Sequence, residues 1–228
     1  MLYSHILIDL DHTLLDSDAS EAAAFDHTLR AAGVADPNAH FAAFQAINQA
    51  LWSAVERHET TPDQVRVARF EELTEEIPLD VEPEEMADRY VAGLAAFGDL
   101  YPAARPVLVE LSKKATLALV TNGISEVQRA RVDRLALGPY FDAIVVSGEV
   151  GVAKPSVDIF DIVFEHLGQP AKGSTVMVGD SLSSDIRGGT DYGISTCWFN
   201  PSGRQPGPED RIDHEITDLR QLLTLGGP

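Results

Sequence analysis

The chain predicts an α/β protein: a doubly wound parallel sheet with an all-helical block inserted after its first strand. Three features carry this reading. Ile6, Leu7 and Ile8 form an apolar run cut off by Asp9 and Asp11, as expected of a short buried strand. Residues 17–100 then hold helical patterns without a strand-like run. From Tyr101 onward apolar runs alternate with helical stretches, and unbroken apolar strands separated by helices belong to parallel sheets covered on both faces. The chain thus divides into a sheet-bearing core, 1–16 with 101–228, and a helical unit, 17–100.

The elements follow in order. Ser20 is the expected N-cap of a first helix that stops at Gly33. Phe41, Phe44, Ile47, Leu51 and Val55 recur at helical spacing across 38–58. Thr61 caps the next helix, with Pro62 in its first turn and Asp63 after it. The pattern at 82–98 ends on Gly98. In the core, a helix at 104–114 precedes strands at 116–123, 143–148, 175–181 and 195–200, with helices at 124–137, 156–168 and 183–193 between them. Beyond Pro201 the tail is rich in Pro and Gly before a short helix near 218–223.

Composition narrows the function. At 228 residues and 44% hydrophobic content there is material for one large domain or two modest ones. A formal net charge of -19 repels polyanions, which argues against a nucleic-acid polymer as partner. It leaves room for a small phosphorylated substrate, because a local cation reverses the field within one cleft. Cys197 is the sole cysteine, so an internal disulfide and a cysteine zinc site are excluded; on its apolar strand it reads as a small buried residue. The N-terminus has no basic start with a long apolar run, and no stretch reaches the roughly 18 apolar residues of a membrane span. The expectation is a cytoplasmic protein with no membrane partner.

Ligands of open parallel sheets sit at the carboxyl ends of the strands. Those ends carry Asp9 and Asp11, then Thr121 and Asn122, then Lys154 just past the third, then Asp180 and Asp185. Side chains alternate along a strand, so Asp9 and Asp11 leave on the same side. Two carboxylates ~4 Å apart repel by several kcal/mol in a partly screened site. A hard cation relieves this, and Mg²⁺ suits a few carboxylates plus waters. The expected ligands are the carboxylates of Asp9 and Asp180 and the backbone carbonyl of Asp11. The same crowding should raise the pKa of Asp11 and leave Asp9 ionised. Asp9 is then the candidate nucleophile and Asp11 the candidate general acid and base. The Thr121 hydroxyl, the backbone N–H of Asn122 and Lys154 are candidate donors to phosphoryl oxygens.

The stretches "DLDHT", "VTNG", "VAKP" and "GDSLSSD" resemble the four ordered motifs of the haloacid-dehalogenase (HAD) superfamily of phosphatases, over the whole chain. The resemblance implies a Rossmann-like core with a helical cap, Mg²⁺ as cofactor and a small phosphate ester as substrate. Asp9 resembles the nucleophile, Asp11 the acid/base, Thr121 the phosphate-loop residue, Lys154 the lysine and Asp180 the metal-binding acid. Asp185 resembles the motif's second acid, which holds either a metal-bound water or the lysine. "FQAINQALW", "SGEVGVAKPSVDIFD", "VMVGDSLSSDIRGG" and "STCWFN" are similar to the pyrimidine 5′-nucleotidases of this superfamily, implying UMP, dUMP, dTMP and modified analogues as substrates. The alternatives are a phosphatase of phosphoglycolate or a sugar phosphate, and a haloacid dehalogenase; the latter typically lacks a counterpart of Asp11. His12 stands where many members have Gly and reads as a loop side chain. Asp16 and Asp18 read as a hinge into the cap. Phe41, Phe44, Trp52 and Phe70 are core candidates by spacing, with one or two of them left to face the cleft. The acidic run at 71–76 reads as a solvated helix face.

Overall fold

The computed structural model describes residues 3–77 and 79–225; residues 1–2, 78 and 226–228 of the predicted units lie outside the described residues. Six strands form one sheet: β1 (His5–Ile8), β2 (Thr116–Thr121), β3 (Ala143–Val146), β4 (Thr175–Gly179), β5 (Ser195–Phe199) and β6 (His214–Ile216). Their order is β3-β2-β1-β4-β5-β6, and every neighbouring pair is parallel. The winding direction reverses between β1 and β4, and such a reversal opens a crevice at the carboxyl edge.

Alternation sends each strand's side chains to two helical layers. Ile6, Ile8, Leu117, Leu119, Val176 and Val178 meet Val107, Leu108 and Leu111 of α5 (Ala104–Leu111). Leu7, Ala118, Val120 and Met177 meet Ile159, Phe160 and Val163 of α8 (Val157–His166). Cys197 is buried in the first of these layers, as expected. Two further helices, α6 (Ser125–Arg134) and the short α7 (Ser147–Val150), follow β2 and β3; α9 (Arg187–Tyr192) precedes β5.

Between β1 and α5 lie α1 (Ser17–Ala31), α2 (Asn38–Glu56), α3 (Pro62–Glu76) and α4 (Pro83–Ala96). Phe25, Phe44, Phe70 and Tyr90 centre their shared core, with Phe44 4.6 Å from Phe25 and 5.1 Å from Tyr90 between ring centroids. Ile124 and Val127 join this cluster, so the helical layer packs on α6. Thr61 caps α3 in a reciprocal pair with Gln64, which satisfies two orphan backbone donors.

Four local expectations are corrected. The first helix starts at Ser17 with Asp16 as its N-cap, accepting from the Ala19 N–H. Ser20 is instead buried in the first turn, donating to the Phe97 carbonyl; a tertiary acceptor outcompeted the cap. β3 ends at Val146, and residues 147–148 open α7. The helix at 183–193 is a π-type turn (Leu182–Ile186) running into α9. The tail adds β6, a three-residue strand too short and polar to read from pattern, and its final helix is a 3₁₀ turn at Leu219–Thr224.

Candidate active site

Asp9 continues β1 by donating its N–H to the Val178 carbonyl, which places it between β1 and β4 at the crevice. Its carboxylate accepts from Lys154 Nζ at 2.6 Å. Lys154 is 1% exposed and donates also to Asp185 Oδ1 and the Val120 carbonyl, each at 2.6 Å. An ammonium has three protons, so all are committed to the protein. The Asn122 side chain fixes this lysine from behind: Nδ2 donates to the Lys154 carbonyl and Oδ1 accepts the Lys154 N–H, both at 2.9 Å.

Carboxylate oxygens of Asp9, Asp180 and Asp185 all lie within 4.8 Å of one another. Burial raises the pKa of Asp9 well above the usual range; Lys154 opposes the rise, and Asp185, Asp11 and Asp180 add to it. Asp180 is pushed up to about 6, by burial first and then by Asp185, against His12, Arg204 and Lys154. Asp185 holds the lysine and stands in the acid cluster.

Asp11 corrects a prediction. Burial pushes its pKa up, but Arg131, the Ser17 hydroxyl and Gln128 together outweigh that and hold it below the ordinary value. Arg131 Nη1 lies 2.7 Å, Ser17 Oγ 2.6 Å and Gln128 Nε2 2.6 Å from its oxygens. The decisive cation sits 120 residues away, and the spacing of the acids along the sequence gives no sign of it. The Asp11 carboxylate stands outside the three-acid cluster.

A cavity of about 610 Å³ covers this edge, and Asp9, Asp11, Asn122, Lys154, Asp180 and Asp185 line it. Thr121 does not: its hydroxyl is fully buried and accepts from Gln128 Nε2 at 2.7 Å, so Gln128 seals it from the cavity. His12 takes a φ of 57°, with its ring 3.7 Å from Asp18. That left-handed geometry suits glycine and is tolerated by histidine. Gln45, Asn48, Trp52 and Glu56 of α2 and Arg69 of α3 supply the helical layer's share of the lining. Of the four aromatic candidates Phe44 and Phe70 are core, Phe41 is partly buried against it, and Trp52 faces the cavity. The sequence reading missed Gln128, Arg131, Asn48, Arg69 and Arg204. Arg204 donates to the Asp180 carbonyl at 2.6 Å.

Gly179 allows the cluster to close. A Cβ there would lie 2.1 Å from Asp185 Oδ2, an oxygen that accepts the Ser181 N–H at 3.0 Å while its partner oxygen holds Lys154. Neither end of that carboxylate has room to yield. Gly179→Ala is therefore expected to destabilise by about 1–3 kcal/mol, or several degrees of melting temperature. A melting temperature equal to wild type would mean that Asp185 is freer than its contacts imply.

Residues 3–193 match the family model described as haloacid dehalogenase-like hydrolase. The chain belongs to the haloacid dehalogenase-like hydrolase family. Among relatives, the pyrimidine 5′-nucleotidase PynA of Streptococcus pneumoniae is 32% identical over 224 residues, covering 98% of this chain and 94% of PynA. The pyrimidine 5′-nucleotidase YjjG of Escherichia coli is 35% identical over 185 residues, 81% of each chain. The magnesium-bound crystal structure of the HAD-hydrolase YfnB of Bacillus subtilis superposes with a TM-score of 0.91 at 33% identity, over 100% of both chains. The hydrolase thus has the Rossmann-like core of its family. Among its described residues no helix is long and apolar enough to cross a membrane.

Proposed function

We propose that this hydrolase is a Mg²⁺-dependent phosphomonoesterase that works through an aspartyl-phosphate and acts on pyrimidine nucleoside 5′-monophosphates. The observation that carries the reaction class is the separation of two aspartates by environment. Asp9 sits with Lys154 in a cluster of acids, whereas Asp11 is held apart by Arg131 and Gln128. The substrate class draws its support from two relatives named as pyrimidine 5′-nucleotidases.

The donor set fits magnesium: three carboxylates, all hard oxygen, with oxygens within 4.8 Å of one another. Asp9 and Asp180 would hold the ion, with the backbone carbonyl of Asp11, and Asp185 beside them. When bound, it supplies charge neutralisation at the phosphoryl oxygens. A magnesium-bound relative structure supports this assignment.

In the first step an Asp9 oxygen attacks phosphorus, and the P–O bond to the nucleoside breaks with its electron pair staying on the leaving oxygen. Asp11 gives that oxygen a proton. In the second step water attacks phosphorus, Asp11 takes the water's proton, and Asp9 leaves as a carboxylate. Arg131 keeps Asp11 ionised, the form the second step needs; the first requires that pairing to loosen. Arg131 also donates to the Leu94 carbonyl and Ser20 of the helical layer, so movement of that layer would reach Asp11 directly. Lys154 balances the charge of Asp9 and Asp185, and contact with a phosphate oxygen would replace one of its present bonds. The Asn122 N–H remains the proposed donor of its loop, and Thr121 acts behind Gln128. Residues 17–100 serve as a cap on the core formed by 1–16 and 101–228, excluding water during transfer.

The test is a phosphate-release screen over UMP, dTMP, AMP, a sugar phosphate and phosphoglycolate. Release from UMP and dTMP, abolished by EDTA and restored by Mg²⁺, is the expected result. Cleavage of a sugar phosphate with UMP and dTMP ignored would overturn the substrate class. Mg²⁺ at about 100 times its dissociation constant should also stabilise the fold by ~2.7 kcal/mol, read as a rise in melting temperature that EDTA reverses.

A further inference from the structure

The helical layer's side of the cavity holds a feature that the phosphoryl chemistry does not use. Arg69 of α3 is 1% exposed and lines the cavity. Its Nε donates to the Val65 carbonyl at 3.0 Å, its Nη1 donates to Asn48 Oδ1 at 3.2 Å, and its guanidinium lies 5.0 Å from the Tyr90 ring centroid. Its Nη2 is buried without a hydrogen-bond partner, as is the hydroxyl of the neighbouring Tyr90. The charge of Glu21, which also lines the cavity, acts on the guanidinium, but among the described residues no carboxylate lies within ion-pair distance of it. A buried cation with an uncommitted N–H is expensive to keep, so a ligand acceptor that reached it would bind with advantage.

Asn48 of α2 is 6% exposed and lines the same cavity. Arginine has no acceptor, so the asparagine must turn its oxygen towards Arg69, which leaves Nδ2 as a second free donor. The two side chains are tied by their mutual bond and present only N–H groups. Trp52, one turn along α2, also lines the cavity and is partly packed against Val55, Val65 and Ala153. Glu21 and Glu56 also line it, which disfavours a second anionic group on the ligand.

A neutral, flat molecule rich in carbonyl oxygens answers all of these features. We propose that Asn48 and Arg69 read the nucleobase by donating to a ring carbonyl, with Trp52 stacking on the ring. Every pyrimidine base carries such a carbonyl at C2, and adenine has none. The proposal rests on the nucleotide reading above and adds the residues that select the base.

Two measurements test it. Asn48→Asp and Asn48→Leu should lower the ratio of kcat/KM for UMP to that for p-nitrophenyl phosphate by about 10- to 100-fold, mainly through KM. A substitution that merely loosened the helical layer would lower both substrates together and leave the ratio fixed, which would overturn the proposal. The second measurement needs no variant. Uridine should inhibit p-nitrophenyl phosphate hydrolysis by the wild-type protein at least tenfold more strongly than adenosine, and equal inhibition would overturn the proposal. If the wild type hydrolyses p-nitrophenyl phosphate but neither UMP nor dTMP, the nucleotide reading itself has failed. If it hydrolyses UMP and only the ratio and inhibition tests fail, the subsite alone is wrong.

Discussion

Asp9→Asn is expected to lose phosphate release by about 10⁴-fold or more, while melting no lower than the wild type. The first half follows from chemistry: an amide oxygen is a poor nucleophile and cannot leave as a carboxylate in the second step. The second half follows from electrostatics. Burial raises the Asp9 pKa, Lys154 offsets part of the rise, and three neighbouring acids enlarge it. A carboxyl whose folded pKa exceeds its unfolded value binds more protons folded than unfolded between those two values. Stability therefore falls as pH rises from about 3.8 through the folded pKa, and above that window the full penalty of the charge remains. Asparagine keeps an oxygen for Lys154 and removes the charge, so that penalty goes. Turnover within tenfold of wild type would defeat the nucleophile assignment. A melting temperature several degrees lower would mean that Lys154 favours Asp9 more than the neighbouring acids oppose it.

The sequence-derived candidates that the structure gathers at the cavity without a correction are those whose placement is local. Asp9, Asn122, Lys154, Asp180 and Asp185 follow strand ends, and a parallel sheet brings strand ends to one edge whatever the rest of the chain does. The residues that escaped depend on the phase of a helix against a distant partner. α6 carries Arg129, Arg131 and Arg134; Arg129 pairs with Glu149 at the surface, and only Arg131, 4% exposed, turns towards Asp11. Nothing local distinguishes the three. The same dependence reversed the direction in which the Asp11 pKa moves. It also left the four aromatics unsorted. Every fourth residue of an α-helix advances about 40° around its axis, so 44, 48, 52 and 56 of α2 walk gradually from core to cavity. Phe44 is packed in the core, Asn48 lies at the boundary, and Trp52 and Glu56 reach the cavity. A helix whose apolar stripe drifts into a polar face is visible in sequence; what that polar face looks onto is fixed only by the fold.

Lys154→Met should lose activity as fully as Asp9→Asn but with the opposite effect on stability. Burial alone would lower the lysine's pKa, yet Asp185 and Asp9 more than compensate and hold it above its ordinary value. A lysine with a raised folded pKa gives its full stabilisation at every pH below its unfolded value, so at neutral pH none of it has been lost. Methionine fills the stem's volume and leaves Asp9, Asp180 and Asp185 crowded together with only Arg204, 3.3 Å from Asp180 at the rim, as counter-charge. Breaking a buried ion pair by removing one partner costs about 3–5 kcal/mol, which corresponds to roughly 10 °C of melting temperature in a chain of this size. The loss should shrink as pH is lowered from 7.5 to 5.5, because Asp180 already titrates near 6 with the lysine present and protonation relieves the repulsion. Mg²⁺ should raise the melting temperature of this variant more than that of the wild type. In the double variant Asp9→Asn, Lys154→Met the destabilisation should be smaller than the sum of the two single shifts gives, since fewer charges are then left facing one another. Strictly additive melting shifts would show that Lys154 stabilises through its packing and its bond to the Val120 carbonyl rather than by holding those carboxylates together.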